Sequence, residues 1–266
     1  IQRTGKRSER SANHIGLIPL VIISPADRNL IIEGSSTRRK FIDSVIGQTD
    51  KDYLKNLVDY NKTLAQRNAL LKYFAMNRTF NRDNLEIYNY QMSELSEPIY
   101  KKRIAFMKAF IPIFKKHYDS ISAKKESVDI QYYSDLNKSD MNELLSQNLE
   151  RDKVLQYTSI GLHKDDLDFV ITEVPIKKFG SQGQQKTFLI ALKLAQFDFI
   201  KKVAKVNPIV LLDDIFDKLD QNRVSQTIKL FENESIGQIF VSDTHEDRVK
   251  LALSDTSSKY EIFNLN

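Results

Sequence analysis

The stretch that most constrains this chain is residues 179–220, FGSQGQQKTFLIALKLAQFDFIKKVAKVNPIVLLDDIFDKLD. Residues 179–185 read as a polar Ser/Gly/Gln loop. From Thr187 onward, Phe188, Leu189, Leu192, Leu194, Ala195, Phe199 and Ile200 recur at helical spacing, which predicts a largely buried helix. Asn207-Pro208 ends it. Ile209-Val210-Leu211-Leu212 is short, branched and uninterrupted, the pattern of a strand buried on both faces of a parallel sheet. Asp213 and Asp214 follow at its carboxyl end, where open α/β sheets bind ligands. Oxygen ligands at such a place can hold magnesium against phosphate; the alternative is that two acids merely terminate a buried strand.

Composition narrows the class. With 41% apolar and 28% charged residues, the 266-residue chain can build one large core or two smaller ones, which excludes wholesale disorder. The absence of cysteine excludes a disulfide scaffold and thiolate zinc sites. No run approaches the ~20 apolar residues that span a bilayer, and Arg3, Lys6, Arg7 and Arg10 precede no long apolar stretch of the secretory kind. The expectation is a soluble, cytoplasmic protein with no membrane partner. A net charge of +5 suits a polyanion partner but is weak evidence alone.

Taken in order, residues 1–14 read as a hairpin remnant or frayed end, and residues 15–23 as a strand. Pro25 marks a helix start. Ser35 or Ser36 is placed to cap a helix over 37–46, whose first turn carries Arg38, Arg39 and Lys40. That basic turn reads as a solvated face, the sharper alternative being contact with phosphates or a partner. Tyr53, Leu57, Tyr60, Leu64, Arg67, Leu71 and Phe74 then alternate three and four apart, as in a coiled-coil seam. After a polar break at 77–84, Leu85, Tyr88, Met92, Leu95, Ile99, Phe106, Phe110 and Ile113 continue the spacing, predicting an antiparallel helical hairpin. Pro98 and Pro112 are expected to kink or interrupt its second arm. Between 99 and 125 stand eight Lys/Arg, among them Lys101, Lys102, Arg103, Lys115 and Lys116, against one acid. They read either as a solvated face or as phosphate contacts that make DNA binding salt-sensitive.

Residues 128–133 alternate like an edge strand, 139–150 read as a capped helix, and 157–160 and 167–171 as strands around Gly161-Leu162-His163-Lys164-Asp165-Asp166. A helix over 221–233, a strand over 238–242, a helix to Leu253 and a last strand over 259–264 complete the chain. Alternating strands and helices of this kind argue a parallel α/β sheet.

These residues carry a resemblance. Ser181-Gln-Gly-Gln-Gln185, a helix, and then LLDDIFDKLD (211–220) resemble the ABC-type ATPase head of the RecF family. GLHKDDLDF (161–169) is similar to that family's Gly-Pro-His-Arg-Asp-Asp segment, with Leu162 in place of proline. Residues 22–43 and 60–72 also look like RecF. The resemblance implies a partial ABC-type P-loop ATPase head, residues 1–48 and 127–266, with an inserted all-helical arm over 49–126. It implies ATP and Mg2+ as cofactors, an ATP-dependent homodimer, single-stranded, gapped or junction DNA as partner, and RecO and RecR as partners in loading recombinase during recombinational repair and replication restart.

On the same resemblance, Asp213 contacts magnesium, and Asp214 takes the place of the water-activating carboxylate, one methylene shorter than the usual glutamate. Ser181, Gln182, Gly183 and Gln184 meet the nucleotide of a second subunit, and Asp220 crosses that interface. Ser181 and Gln184 also form a Ser-x-x-Gln capping pattern, a structural role that can coexist with an anion site. His245 looks like the switch histidine that senses the terminal phosphate, against the plainer reading of a surface histidine. His163, Asp165 and Asp166 receive no chemistry. No Gly-x4-Gly-Lys-Ser/Thr string occurs, so the chain is expected to lack the amino-terminal portion of a RecF protein and to hydrolyse ATP negligibly alone. The alternatives are a non-enzymatic interaction module with structural acids, or another SMC-like ATPase.

Overall fold

The computed structural model describes residues 2–3, 6–7, 14–122, 126–213, 237–254 and 259–263. At the start, β1 (Gln2–Arg3) and β2 (Lys6–Arg7) pair antiparallel. The strand expected over 15–23 shrinks to β3 (Leu20–Ile23), because Gly16 and Pro19 hold the preceding residues in a turn. Pro25 opens a single 3-10 turn, Pro25–Arg28, before α1 (Asn29–Ile32) and α2 (Ser35–Thr49). The helix at α2 starts at Ser35, not after a serine cap. Gly34 takes the cap position with no side-chain bond.

The hairpin forms as α3 (Lys51–Asn77) and α4 (Arg82–Ser122). Asp50 caps α3 by accepting the Tyr53 amide at 2.9 Å. Tyr53, Tyr60, Arg67 and Phe74, seven residues apart, all turn inward. On α4 the buried rows are Leu85, Met92, Ile99 and Phe106, and Asn89, Ser96, Arg103 and Phe110. The second row displaces the expected Tyr88 and Leu95 to the margin, because α3 offers polar partners. Arg67 Nε donates to Asn89 Oδ1 at 2.8 Å, and Arg103 Nε to the Tyr53 hydroxyl at 3.1 Å. These two pairs run in opposite senses along the chain and fix the antiparallel register. Pro98 and Pro112 do not interrupt α4. The carbonyls that lose a donor belong to Glu94 and Lys108, both at exposed positions where water replaces the bond.

Next come β4 (Val128–Tyr133), α5 (Met141–Gln147), α6 (Leu149–Leu155), β5 (Asp166–Ile171) and β6 (Val174–Pro175). The single helix expected over 139–150 is thus two, and Asp140, not Ser139, caps the first through the Glu143 amide. The strand expected over 157–160 is absent. The Thr158 and Ser159 amides donate to the side chains of Asn68 and Asp152 instead of to a ladder. β4, β5 and β6 form an antiparallel sheet beside the parallel one expected from the alternating strands and helices, so the α/β fold is mixed.

The chain closes with α7 (Ile176–Phe179), α8 (Gln182–Ala204), β7 (Ile209–Asp213), β8 (Gln238–Ser242) and α9 (Glu246–Leu253). Residues 259–263 carry no strand and stay exposed. β3, β7 and β8 form a parallel sheet with β7 central. Val21, Ile23, Val210 and Leu212 are buried, while Ile22 and Phe240 on the other face remain nearly half exposed. The strand expected to be buried on both faces therefore has one buried face among the described residues. The carboxyl-terminal half of α4 lies along α8. Phe106 and Phe110 meet Phe199, and Phe114 and Tyr118 meet Phe188. Such ring pairs add about 0.5–1.5 kcal/mol each beyond their area.

Candidate functional site

β7 ends on Asp213, exposed at the rim of the parallel sheet. The register sets it beside Ser242, the last residue of β8. Ser242 Oγ donates to Asp213 Oδ1 at 2.6 Å, and Asp213 Oδ2 has no partner among the described residues. Past Ser242 the chain turns on Asp243, whose Oδ1 accepts the His245 amide at 2.7 Å. The Asp243 carboxylate is shielded, and its Oδ2 finds no partner among the described residues. His245 is 61% exposed, with Nδ1 2.8 Å from Thr244 Oγ1. This rim offers oxygen ligands, water access and one uncommitted carboxylate oxygen. That set fits magnesium, which keeps several waters and needs only one or two carboxylates. Asp214 and Asp220 lie outside the described residues, as does the helix expected over 221–233.

At the other candidate end, the loop expected over 179–185 is reduced to Gly180 and Ser181, since Phe179 ends α7 and Gln182 starts α8. Ser181 Oγ accepts the Gln184 amide at 3.2 Å, and Gln184 Oε1 accepts the Ser181 amide at 2.6 Å, closing a capping box. Gln184 Nε2 donates to Glu126 Oε1 at 2.7 Å, and Glu126 Oε2 accepts from the Tyr118 hydroxyl of α4. Both ends of the Gln184 amide are therefore engaged. The Ser181 hydroxyl, used here as an acceptor, keeps its own proton to donate. Ser181 and Gln182 are exposed, and Gly183 is half-buried.

The two ends are not together. Lys193 of α8 donates to Ile22 O at 2.7 Å and pairs with Asp27, so it lies near the level of Ile22 and its register partner Leu211, two residues short of Asp213. Ser181 is twelve residues back along α8, about 18 Å at 1.5 Å per residue.

A third cluster surrounds residues 161–166. Arg103 is 2% exposed. It donates to Asp165 Oδ2 at 2.6 Å, Asp43 Oδ1 at 2.8 Å and Leu162 O at 3.0 Å. The Tyr132 hydroxyl also donates to Asp165. Burial works against the Arg103 charge, but Tyr53, Asp43 and Asp165 hold it protonated well above its ordinary range. Burial pushes the Asp165 carboxyl up, and Arg103 opposes it. Thr158 O can only accept, so His163 Nε2 carries the hydrogen, and Nδ1 accepts from the Tyr60 hydroxyl at 3.0 Å. Burial lowers His163 to about 4, keeping the ring neutral. Gly161 has φ +117°, and a Cβ there would stand 2.6 Å from Met141 Cε.

Two expectations change at this cluster. Arg103, grouped in the sequence with the surface cations of the arm, is buried and cannot reach a phosphate. Of the basic turn Arg38, Arg39 and Lys40, Lys40 is exposed, while Arg38 and Arg39 turn toward this cluster. Arg38 makes a two-bond pair with Asp166 and donates to Glu33 O, while Arg39 donates to Asp165 O. Of the remaining arm cations, Lys101 pairs with Glu97, Lys102 with Asp50 and Lys115 with Asp129, all at partly exposed positions. Lys116 is exposed.

No protein-family model matches the chain. The DNA replication and repair protein RecF of Flavobacterium johnsoniae is 55% identical over 265 residues, all of this chain and 74% of that protein. The protein of the same name from Bacteroides thetaiotaomicron is 45% identical over 265 residues, 71% of its length. This chain belongs to the RecF family. A solved structure of the recombination mediator protein RecF-ATPrS in the RecFOR pathway matches with a TM-score of 0.82 at 28% identity, over 91% of this chain and 67% of that one. The RecF-ATP structure of the same pathway gives 0.81 at 29% identity, over 92% and 67%. The fold is therefore the RecF ATPase head with its helical region. Within the RecF fold, adjacent strand ends bring Asp213 and the turn to His245 together, and set Ser181 apart. Sequence reasoning missed Ser242, Glu126 and the hub role of Arg103. Only Arg103 carried a signal, a charge at seam spacing four residues after Ile99.

Proposed function

We propose that this chain provides the ATP-binding head (1–48, 127–266) and helical arm (49–126) of a cytoplasmic RecF protein that acts on DNA in recombinational repair and replication restart, with RecO and RecR as partners. The observation that carries the reading is the ~18 Å of helix between Ser181 and Lys193, which marks the level of Leu211 in β7 and puts Ser181 and Asp213 on separate parts of the head. In this reading Ser181 and Asp213 serve different bound nucleotides, and two copies complete each site.

In this reading Asp213 holds magnesium, directly or through water, and the metal when bound neutralises phosphate charge. Asp214 stands next in line to orient the attacking water, and His245, exposed on a turn held by Asp243, meets the terminal phosphate. From the second copy, Ser181 donates its free hydroxyl proton, and Gln182 and Gly183 present backbone at a helix N-terminus suited to anions. Gln184 supports that end through Glu126, and Asp220 crosses the interface. Exposed Lys101, Lys102, Lys115 and Lys116 contribute to DNA contact. Among the described residues no helix is long and apolar enough to cross a membrane.

The test mixes two variants of the complete gene product, Asp213→Asn and Ser181→Arg. Each alone should lose ATP-dependent dimerisation and turnover. Mixed, they form a dimer with one intact site, and turnover should return in part. No recovery on mixing would end the two-copy reading. The 266-residue chain alone, which carries no Gly-x4-Gly-Lys-Ser/Thr string, should show negligible turnover.

A further inference from the structure

We infer that Ser242 is a positioning residue for the metal-binding carboxylate, its hydroxyl holding the Asp213 side chain so that Oδ2 is presented to the cation. The inference rests on the reading of Asp213 as the magnesium contact and names the residue that regulates its aim. Three observations carry it. Asp213 and Ser242 are register partners at the carboxyl ends of adjacent parallel strands, which fixes their separation through the backbone. Ser242 Oγ donates to one carboxylate oxygen at 2.6 Å, while the other has no partner among the described residues. Both residues are exposed, so burial does not require this bond. Water would satisfy either group equally well.

What the bond does is select one orientation of a short carboxylate that otherwise rotates freely at a solvated rim. Magnesium demands near-ideal octahedral geometry and sheds its waters reluctantly. An acid that wanders among rotamers is therefore a poor ligand, whether it binds directly or through water. Hydrogen-bond partners that orient metal ligands typically change metal affinity by about 10–100-fold when removed.

The experiment compares Ser242→Thr with Ser242→Val in the complete gene product. The two side chains have nearly one shape and both suit a strand, but only threonine keeps the hydroxyl. Mn2+ serves as the probe, its affinity titrated by electron paramagnetic resonance with saturating ATP, and ATP affinity is measured separately in chelator. The expected result is a Mn2+ affinity near wild type for Ser242→Thr and a loss of about 10–100-fold for Ser242→Val, with metal-free ATP affinity unchanged in both. Equal Mn2+ affinity in the two variants overturns the inference. Asp213→Asn separates the layers. If it leaves Mn2+ affinity intact, the metal reading itself fails. If it abolishes Mn2+ binding while Ser242→Val matches Ser242→Thr, only the role of Ser242 fails.

Discussion

Arg103 and Asp213 are both charged, and they sit in opposite circumstances. Arg103 is enclosed, with Asp165, Asp43, Tyr53 and the Leu162 carbonyl each taking part of its fork. Asp213 stands at an open rim with one oxygen tied to Ser242 and the other without a partner among the described residues. Proximity to a family-like motif does not tell such groups apart; unspent bonding capacity does. The hub joins α2, α3, α4, β4 and the start of β5, and the Arg103 fork is divided among its members. Among the described residues, the rim leaves one Asp213 oxygen unpaired and His245 exposed.

The comparison can be broken most sharply at the hub. Arg103→Ala strands the buried Asp165 carboxylate, and the expected loss is about 3–5 kcal/mol of unfolding free energy by urea titration. A loss below about 1 kcal/mol would show that the cluster is not architectural. Tyr132→Phe leaves Arg103 in place but removes one donor to Asp165, at an expected cost of about 1–3 kcal/mol in the same assay.

His163 gives a pH signature. An unfolded histidine titrates near 6.5, and burial in the fold lowers this one to about 4. Between those values the unfolded chain binds the extra proton, so stability should fall as pH drops through that window. Asp165, pushed up by burial, acts in the opposite sense. It is common to wild type and His163→Gln, so comparing their stability against pH isolates the histidine, and the variant should show the shallower fall. Identical slopes would mean that His163 binds its proton in the fold as readily as in the unfolded chain.

The smallest effect belongs to the surface. Reversing Lys101, Lys115 and Lys116 to glutamate should shift stability by no more than about 0.5 kcal/mol per site, yet weaken DNA binding and flatten its salt dependence. Unchanged DNA affinity would remove the arm from the binding surface.

The elements with strong local signals were legible in sequence. The apolar run ending on Asp213, the seven-residue steps from Tyr53 to Phe74, and the Ser181/Gln184 box each depend on near neighbours. What escaped depends on distant partners. Asn89 and Arg103 break an apolar pattern and are buried because α3 and the 161–166 segment supply matching groups. The 157–160 strand failed because side chains claim its amides, Asn68 from far off in sequence and Asp152 from the preceding helix. Ser242 is one polar residue at the end of a strand. It gains meaning only when the parallel register sets it against Asp213.

The unbroken course of α4 has a mechanical corollary. Its 41 residues make a rod of about 60 Å, gripped by α3 at one end and packed along α8 at the other. Tyr118, one turn from the far end, holds Glu126, and Glu126 holds Gln184. The rod stays helical through Pro98 and Pro112. Whatever seizes the tip of the hairpin therefore has a handle on the hydroxyl of Ser181, and a tug on one is felt by the other.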